Sequence, residues 1–228
     1  MNTIIDLNNL SPDYIIINHP RFIIEMGYTI KGNMTGVAAY PQVGLGNIAI
    51  VHKQMWEKLE KLIPYLEEND RYIKVFDAYR PPEAQILMKK IIPIDGYFAA
   101  DPERSQHCHA TAVDICLCDS NKQELKYPTP LDAYTPENAD LIQQAINAPS
   151  KEECDKIMDI FSQKIKKAGH DYTSNDLTEE EIKNREELKD LMEGIGLYSL
   201  FFEWWHYNLF PREQYNNLPL ADFVPFKK

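Results

Sequence analysis

The run YIKVFDAYRPPE, residues 72–83, reads as a strand that is stopped by prolines and handed on to a helix. Tyr72–Phe76 alternates and carries β-branched Ile73 and Val75, which predicts a strand. Pro81 and Pro82 end it, because the ring offers no ladder donor and pushes the preceding residue out of the helical region. Proline is tolerated in the first turn of a helix, so Glu83–Ile92 is expected to be helical. Arg80 then sits just past a strand end. A fixed guanidinium there points either into a cleft or at a surface carboxylate.

Upstream, Val51, Met55, Trp56, Leu59, Leu62, Ile63 and Leu66 recur at helical spacing, predicting a core helix over 51–68 with Pro64 in its later turns. Residues 1–50 hold only short apolar runs, Ile15–Ile17 and Phe22–Ile24, and read as an irregular arm wrapped on the core. Downstream, 93–104 reads as a loop, Thr111–Cys118 as a strand, 119–135 as a turn and irregular stretch, and Tyr198–Trp204 as a third strand. Residues 136–195 are charged and helical, in pieces near 137–147, 151–168 and 178–194. Thr178 followed by Glu181 is a capping box, and Gly194 or Gly196 ends the last helix. The tail after Pro211 reads as irregular. No repeat or Gly/Ser linker divides the chain. The expectation is one α+β domain over 1–228, with helices packed on a small, mainly antiparallel sheet.

The 228 residues are 44% hydrophobic and 26% charged, which excludes disordered, collagenous and coiled-coil classes. A net charge of −11 argues against nucleic-acid or anionic-membrane partners. Four cysteines are too few for a disulfide scaffold, so free thiols in a reducing compartment are expected. The start, MNTIIDLNNLSPDY, lacks a basic n-region, and no apolar run approaches the roughly 18 residues of a membrane span. A cytoplasmic location follows as an expectation. The chain contains no P-loop, GxGxxG, HExxH or GxSxG motif.

Besides Arg80, three stretches can carry chemistry. In SQHCHATAVD (105–114), His107 on a loop and Asp114 on a strand suit zinc, although taken alone ordinary hydrogen bonding to nearby backbone is the commoner reason for such a pair. In EWWH (203–206), a carboxylate lies in an aromatic run. Burying it unpaired costs several kcal/mol or raises its pKa, so a cation, or a Lys or Arg, must compensate. Glu203 and His206 do not share a face of a flat strand, so a bulge or strand end is required. Thr129-Pro130-Leu131-Asp132 offers either an Asx turn or a carboxylate for an ammonium group. In an extended segment His107 and His109 would share a face, with Cys108 turned away. His109 is then a spare ligand, a residue of the pocket rim or a support behind the ligands. Cys116 and Cys118 read as buried small hydrophobes.

Together these pieces resemble the D-alanyl-D-alanine dipeptidase (VanX-like) family of zinc D,D-peptidases. Its S-x-H-x(2)-G-x-A-x-D stands here as Ser105, His107, Ala112 and Asp114, and its E-x-W-H as Glu203-Trp204-Trp205-His206. Its Y-R-P is Tyr79-Arg80-Pro81, its T-P-F-D is Thr129–Asp132, and its N-F-T-G is Asn33-Met34-Thr35-Gly36. A later run matches at Asn184, Arg185, Leu188, Met192 and Gly196-Leu197. Three departures stand out. Ala110 replaces a glycine, which crowds the turn if its φ is positive. Tyr127-Pro128 replaces Met-Gly. Residues 136–180 are longer than the family pattern, a helical insertion.

The resemblance implies one zinc ion per chain held by His107, Asp114 and His206, with the fourth position open. It implies Glu203 as general base and later proton donor, and Arg80 as the group facing the oxyanion. Ser105 and Asp132 would hold the free amino end. The implied substrate is D-Ala-D-Ala or a related D-Xaa dipeptide, and the implied role is turnover of cell-wall precursor. A D,D-carboxypeptidase acting on longer wall peptides is one alternative. A non-catalytic zinc-binding relative, with His109 as fourth ligand, is the other.

Overall fold

The structure is a computed structural model describing residues 5–95, 97–99, 101 and 104–226. Its strands and helices are β1 (Tyr14–Ile16), β2 (Phe22–Ile24), α1 (Ala39–Gln42), β3 (Ile50–His52), α2 (Lys53–Leu59), α3 (Ile63–Glu68), β4 (Tyr72–Asp77) and α4 (Pro82–Ile91), then β5 (Ala112–Cys118), α5 (Pro136–Ile146), α6 (Lys151–Ile165), α7 (Glu179–Gly194), β6 (Tyr198–Leu200), β7 (Glu203–Asn208) and α8 (Arg212–Asn216). Five strands form one sheet in the order β2-β4-β5-β7-β6, and β1 pairs with β3 in a second. Only β2–β4 is parallel. The expected α+β architecture with a mainly antiparallel sheet is found.

Strand β5 explains the site's position. All seven of its residues are buried, so its AVDICLC sequence is apolar on both faces except at Asp114. Cys116 and Cys118 are fully buried, as expected of small hydrophobes. The β4–β5 register slips between Val75 and Asp77, so a bulge brings Asp77 opposite Asp114. On the other side, Asp114 lies directly opposite His206 on β7. Cross-strand partners share a face, so 92 residues of sequence separation vanish in one pairing.

Four expectations are corrected. The arm of residues 1–50 contributes β1, β2 and the start of β3, with β2 extending the main sheet through β4. The single helix over 51–68 is instead β3, α2, a 3-10 turn at Glu60–Leu62, and α3. Pro64 occupies the first turn of α3, where its missing donor costs nothing, so the helix restarts there. The strand Tyr198–Trp204 is two strands, β6 and β7, with Phe201 and Phe202 exposed at the turn between them. The tail after Pro211 carries the short helix α8.

Helix α7 starts with both halves of its capping box in place. It is closed by Gly196 at φ +84, with Leu197 N–H donating to the Met192 carbonyl. Its buried face has a structural use for the matched Asn184 and Arg185. The Asn184 amide donates to Lys126 O at 3.0 Å. Fully buried Arg185 donates to Gly169 O at 2.7 Å and Tyr172 O at 3.0 Å. These bonds fasten the loop that precedes Thr129 and the loop between α6 and α7.

Most buried apolar residues form one core, to which both sheets contribute. Met34, Ile92, Ile142 and Phe161 form a second, smaller cluster, which seats α5 and α6. Among the described residues no helix is long and apolar enough to cross a membrane.

Candidate active site

His107 lies on a 3-10 turn, Gln106–His109, that leads into β5. Ala110 closes this turn at φ +56, ψ +29, the left-handed conformation a glycine would adopt without strain. The turn also rotates His109 away from His107, which corrects the expectation that the two share an extended face. His109 Nδ1 faces the carbonyl of Phe223 at 2.5 Å, on the side of the C-terminal tail. Among the described residues it lies outside the trio of His107, Asp114 and His206 and does not line their cleft.

His107, Asp114 and His206 converge, with one ligand atom from each lying within 4.8 Å of the others. The Nδ1–H of His107 donates to Ala78 O at 2.9 Å, which turns Nε2 inward. The Nε2–H of His206 donates to the Asn208 amide oxygen at 3.0 Å, which turns Nδ1 inward. The two inward nitrogens are 3.2 Å apart, and lie 3.3 and 2.9 Å from Asp114 Oδ1. Burial opposes charge on His107 and Asp114. Even so, Asp114 is held well below the usual carboxylate range by the two imidazoles, and His107 is raised above the usual imidazole range by Asp114. Two lone pairs and a carboxylate aimed at one point need a cation between them. A shared proton is the smallest, and zinc serves with both rings neutral. The donor set therefore fits zinc, with three protein ligands as open catalytic sites have.

Glu203 begins β7, with Oε2 at 3.8 Å from His206 Nδ1. The β6–β7 register jumps between Ser199 and Leu200, so Leu200 pairs with Glu203, and this supplies the required irregularity. Burial pushes the Glu203 carboxyl up to about 7; Asp114 and Asp132 act in the same direction, while His206 and Arg80 oppose it. Its side chain keeps 31% exposure, leaving a route for protons to solvent. The aromatic neighbours are Trp204 and Trp205. Phe201 and Phe202, which precede it in the run, are exposed.

Arg80 is buried and fixed. Nε and Nη2 donate to Asp77 at 2.8 and 2.5 Å, and Nη1 donates to Gln85 at 2.8 Å. Asp77 also accepts from the Tyr40 hydroxyl and from the Ala78 N–H. The Tyr28 ring stacks under the guanidinium at 5.1 Å. The Tyr28 hydroxyl donates to Asp132 at 2.8 Å. Asp132 adopts φ +53, and burial with nearby Asp114 pushes its carboxyl up to about 6. Its loop is anchored by Thr129, whose hydroxyl accepts from Trp204 Nε1 at 3.0 Å. Trp204 in turn stacks on Tyr127 at 3.9 Å, so the Tyr127 that departs from the motif has a packing role. Ser105 caps the His107 turn through backbone only.

All seven expected residues (Ser105, His107, Asp114, Arg80, Asp132, Glu203 and His206) line one cleft of about 780 Å³. Asp77, Gln85, Tyr28 and Asn208 were not foreseen. The available signals were Asp77 three residues before Arg80 at a strand end, and Asn208 two after His206, on the same strand face.

The family model described as D-ala-D-ala dipeptidase (Peptidase_M15) matches residues 157–223, a segment that carries Glu203 and His206. The D-alanyl-D-alanine dipeptidase of Escherichia coli (strain K12) is 24% identical over 190 residues, 83% of this chain and 80% of that protein. Both matches support a VanX-like family. They support a peptidase.

Proposed function

We propose that the chain is a single-domain zinc dipeptidase of the cytoplasm that hydrolyses D-Ala-D-Ala or a related D-Xaa dipeptide. The observation that carries this reading is the convergence of His107 Nε2, His206 Nδ1 and the Asp114 carboxylate beside Glu203. Zinc, when bound, supplies a Lewis acid and lowers the pKa of water toward about 7. Everything else falls to the chain's own side chains. Ala78 O and the Asn208 amide fix both imidazoles in the tautomer that presents a lone pair. Glu203 takes a proton from the attacking water and later gives it to the leaving amine. A carboxyl near pH 7 suits both halves. The water oxygen bonds to the peptide carbon, the C–N bond breaks, and two amino acids leave.

Arg80, held by Asp77 and Gln85, keeps further N–H groups for the developing oxyanion; losing such a donor typically costs about 2.7–4 kcal/mol. Asp132 accepts the substrate ammonium, with the Ser105 hydroxyl beside it. A cell-wall precursor dipeptide is the partner this reading needs. The turn of His109 toward Phe223 disfavours a closed, purely structural zinc site. The test is metal analysis together with D-amino acid release. One zinc per chain and release of D-alanine from D-Ala-D-Ala are expected. A fully zinc-loaded protein that cleaves no D,D-dipeptide would sink the proposal.

A further inference from the structure

We infer that helix α6 gives the cleft an apolar subsite that selects dipeptides in which one residue carries an aliphatic or aromatic side chain larger than methyl; this rests on the dipeptidase reading. Met158, Phe161 and Ile165 stand at i, i+3 and i+7, on one face of α6, and all three line the cleft that holds the metal-ligand triad. Tyr97, Phe98 and Phe202 line the same cleft from other segments. Its volume of about 780 Å³ lies within the roughly 300–1,000 Å³ of sites that enclose much larger ligands. A dipeptide of two methyl side chains leaves most of that apolar surface uncovered.

The wall is fixed in place. Phe161 is 3% exposed and packs with Met34, Ile92 and Ile142, so α6 does not collapse inward to fill the space. Phe202 at the β6–β7 turn is 58% exposed, and a substrate side chain laid against it removes apolar surface from water. The occupant is a substrate side chain because these apolar residues line the same cleft as the triad, where the scissile bond must sit. Each methylene-sized group such a pocket recognises is worth about 10–200-fold in kcat/KM.

The test compares kcat/KM of the zinc-loaded enzyme on D-Ala-D-Ala, D-Ala-D-Phe and D-Phe-D-Ala. At least one phenylalanine dipeptide is expected to exceed D-Ala-D-Ala by about ten-fold or more. Ser162 lines the cleft from an exposed position on α6, so Ser162→Trp adds bulk there without touching the core. It is expected to lower the Phe-to-Ala substrate ratio about ten-fold, and Ile165→Ala is expected to lower it in the same direction. Calorimetric binding to zinc-loaded Glu203→Gln protein should give the same order of Kd values. A preference for D-Ala-D-Ala over both phenylalanine dipeptides, with a ratio unmoved by Ser162→Trp, would overturn the subsite and leave the dipeptidase reading standing. No hydrolysis of any of the three would overturn that reading and the subsite with it.

Discussion

One side of the cleft is built by strands and the other by a helix, and the two hold their side chains by different means. On the sheet side, His206 faces Asp114 across a ladder pair, and each imidazole is aimed by a hydrogen bond from its outer nitrogen. Arg80 is gripped at three nitrogens. On the helical side, α6 is seated by the apolar cluster around Phe161. Hydrogen bonds fix individual atoms, whereas apolar packing fixes a body and is not directional. Metal ligation and proton transfer demand atomic placement, so the proposed reading assigns them to the sheet. Shape selection needs only a firm surface, which the inferred subsite finds on the helix.

The largest expected effect breaks the sheet side. His206→Ala should lose both zinc and activity, whereas substitutions on α6 should keep full zinc. Full zinc in His206→Ala, measured by metal analysis, would contradict the ligand assignment. Asn208→Ala should leave the ligands present but loosen their aim. Zinc affinity should fall about 10–100-fold in competition with a chelator, and an unchanged affinity would mean that the bond to His206 Nε2 does not orient the ring.

Asp132→Ala should raise KM for free dipeptides by about 10–100-fold, the equivalent of losing a charged hydrogen bond of about 1.5–3 kcal/mol. Action on N-blocked substrates should change less, and equal effects on both would remove the ammonium role. The smallest effect is on stability. The Asp132 carboxyl is raised by burial to about 6, so the folded state holds its proton more tightly than the unfolded chain does. That contribution is present below the ordinary carboxylate pKa and is lost as pH rises through about 6. Asn also accepts the left-handed backbone at this position, φ +53. Asp132→Asn should therefore raise the Tm of the metal-free protein at pH 8, by about 2–4 °C per kcal/mol recovered, and leave it nearly unchanged at pH 4. A larger gain at pH 4 than at pH 8 would reverse the sign and refute the burial argument.

Much of the sheet side was legible from the residues. The proline stop after Arg80, the buried strand around Asp114 and the need for an irregularity between Glu203 and His206 are local signals, and the structure carries all three. What escaped was non-local or hidden in turns. Strands β1 to β3 are three residues each, too short for an alternation to register, and β2 gains its place only by pairing with β4 about fifty residues later. His109 was misplaced because a 3-10 turn, not an extended segment, carries it. Asp77 and Asn208 act by aiming Arg80 and His206; their spacing puts them within reach, but it does not say which side chain a hydrogen bond will find. The apolar face of α6 shows as periodicity at 158, 161 and 165. Periodicity cannot tell a core from a cleft.

The central claim is that Glu203 performs the proton transfers beside a metal held by the other three residues. The most direct measurement is D-alanine release from D-Ala-D-Ala by the zinc-loaded wild type and by zinc-loaded Glu203→Ala, side by side. The account predicts release by the wild type and a loss of about 10²–10⁴-fold in the variant, with zinc content equal in both. Equal release by the two proteins would contradict it.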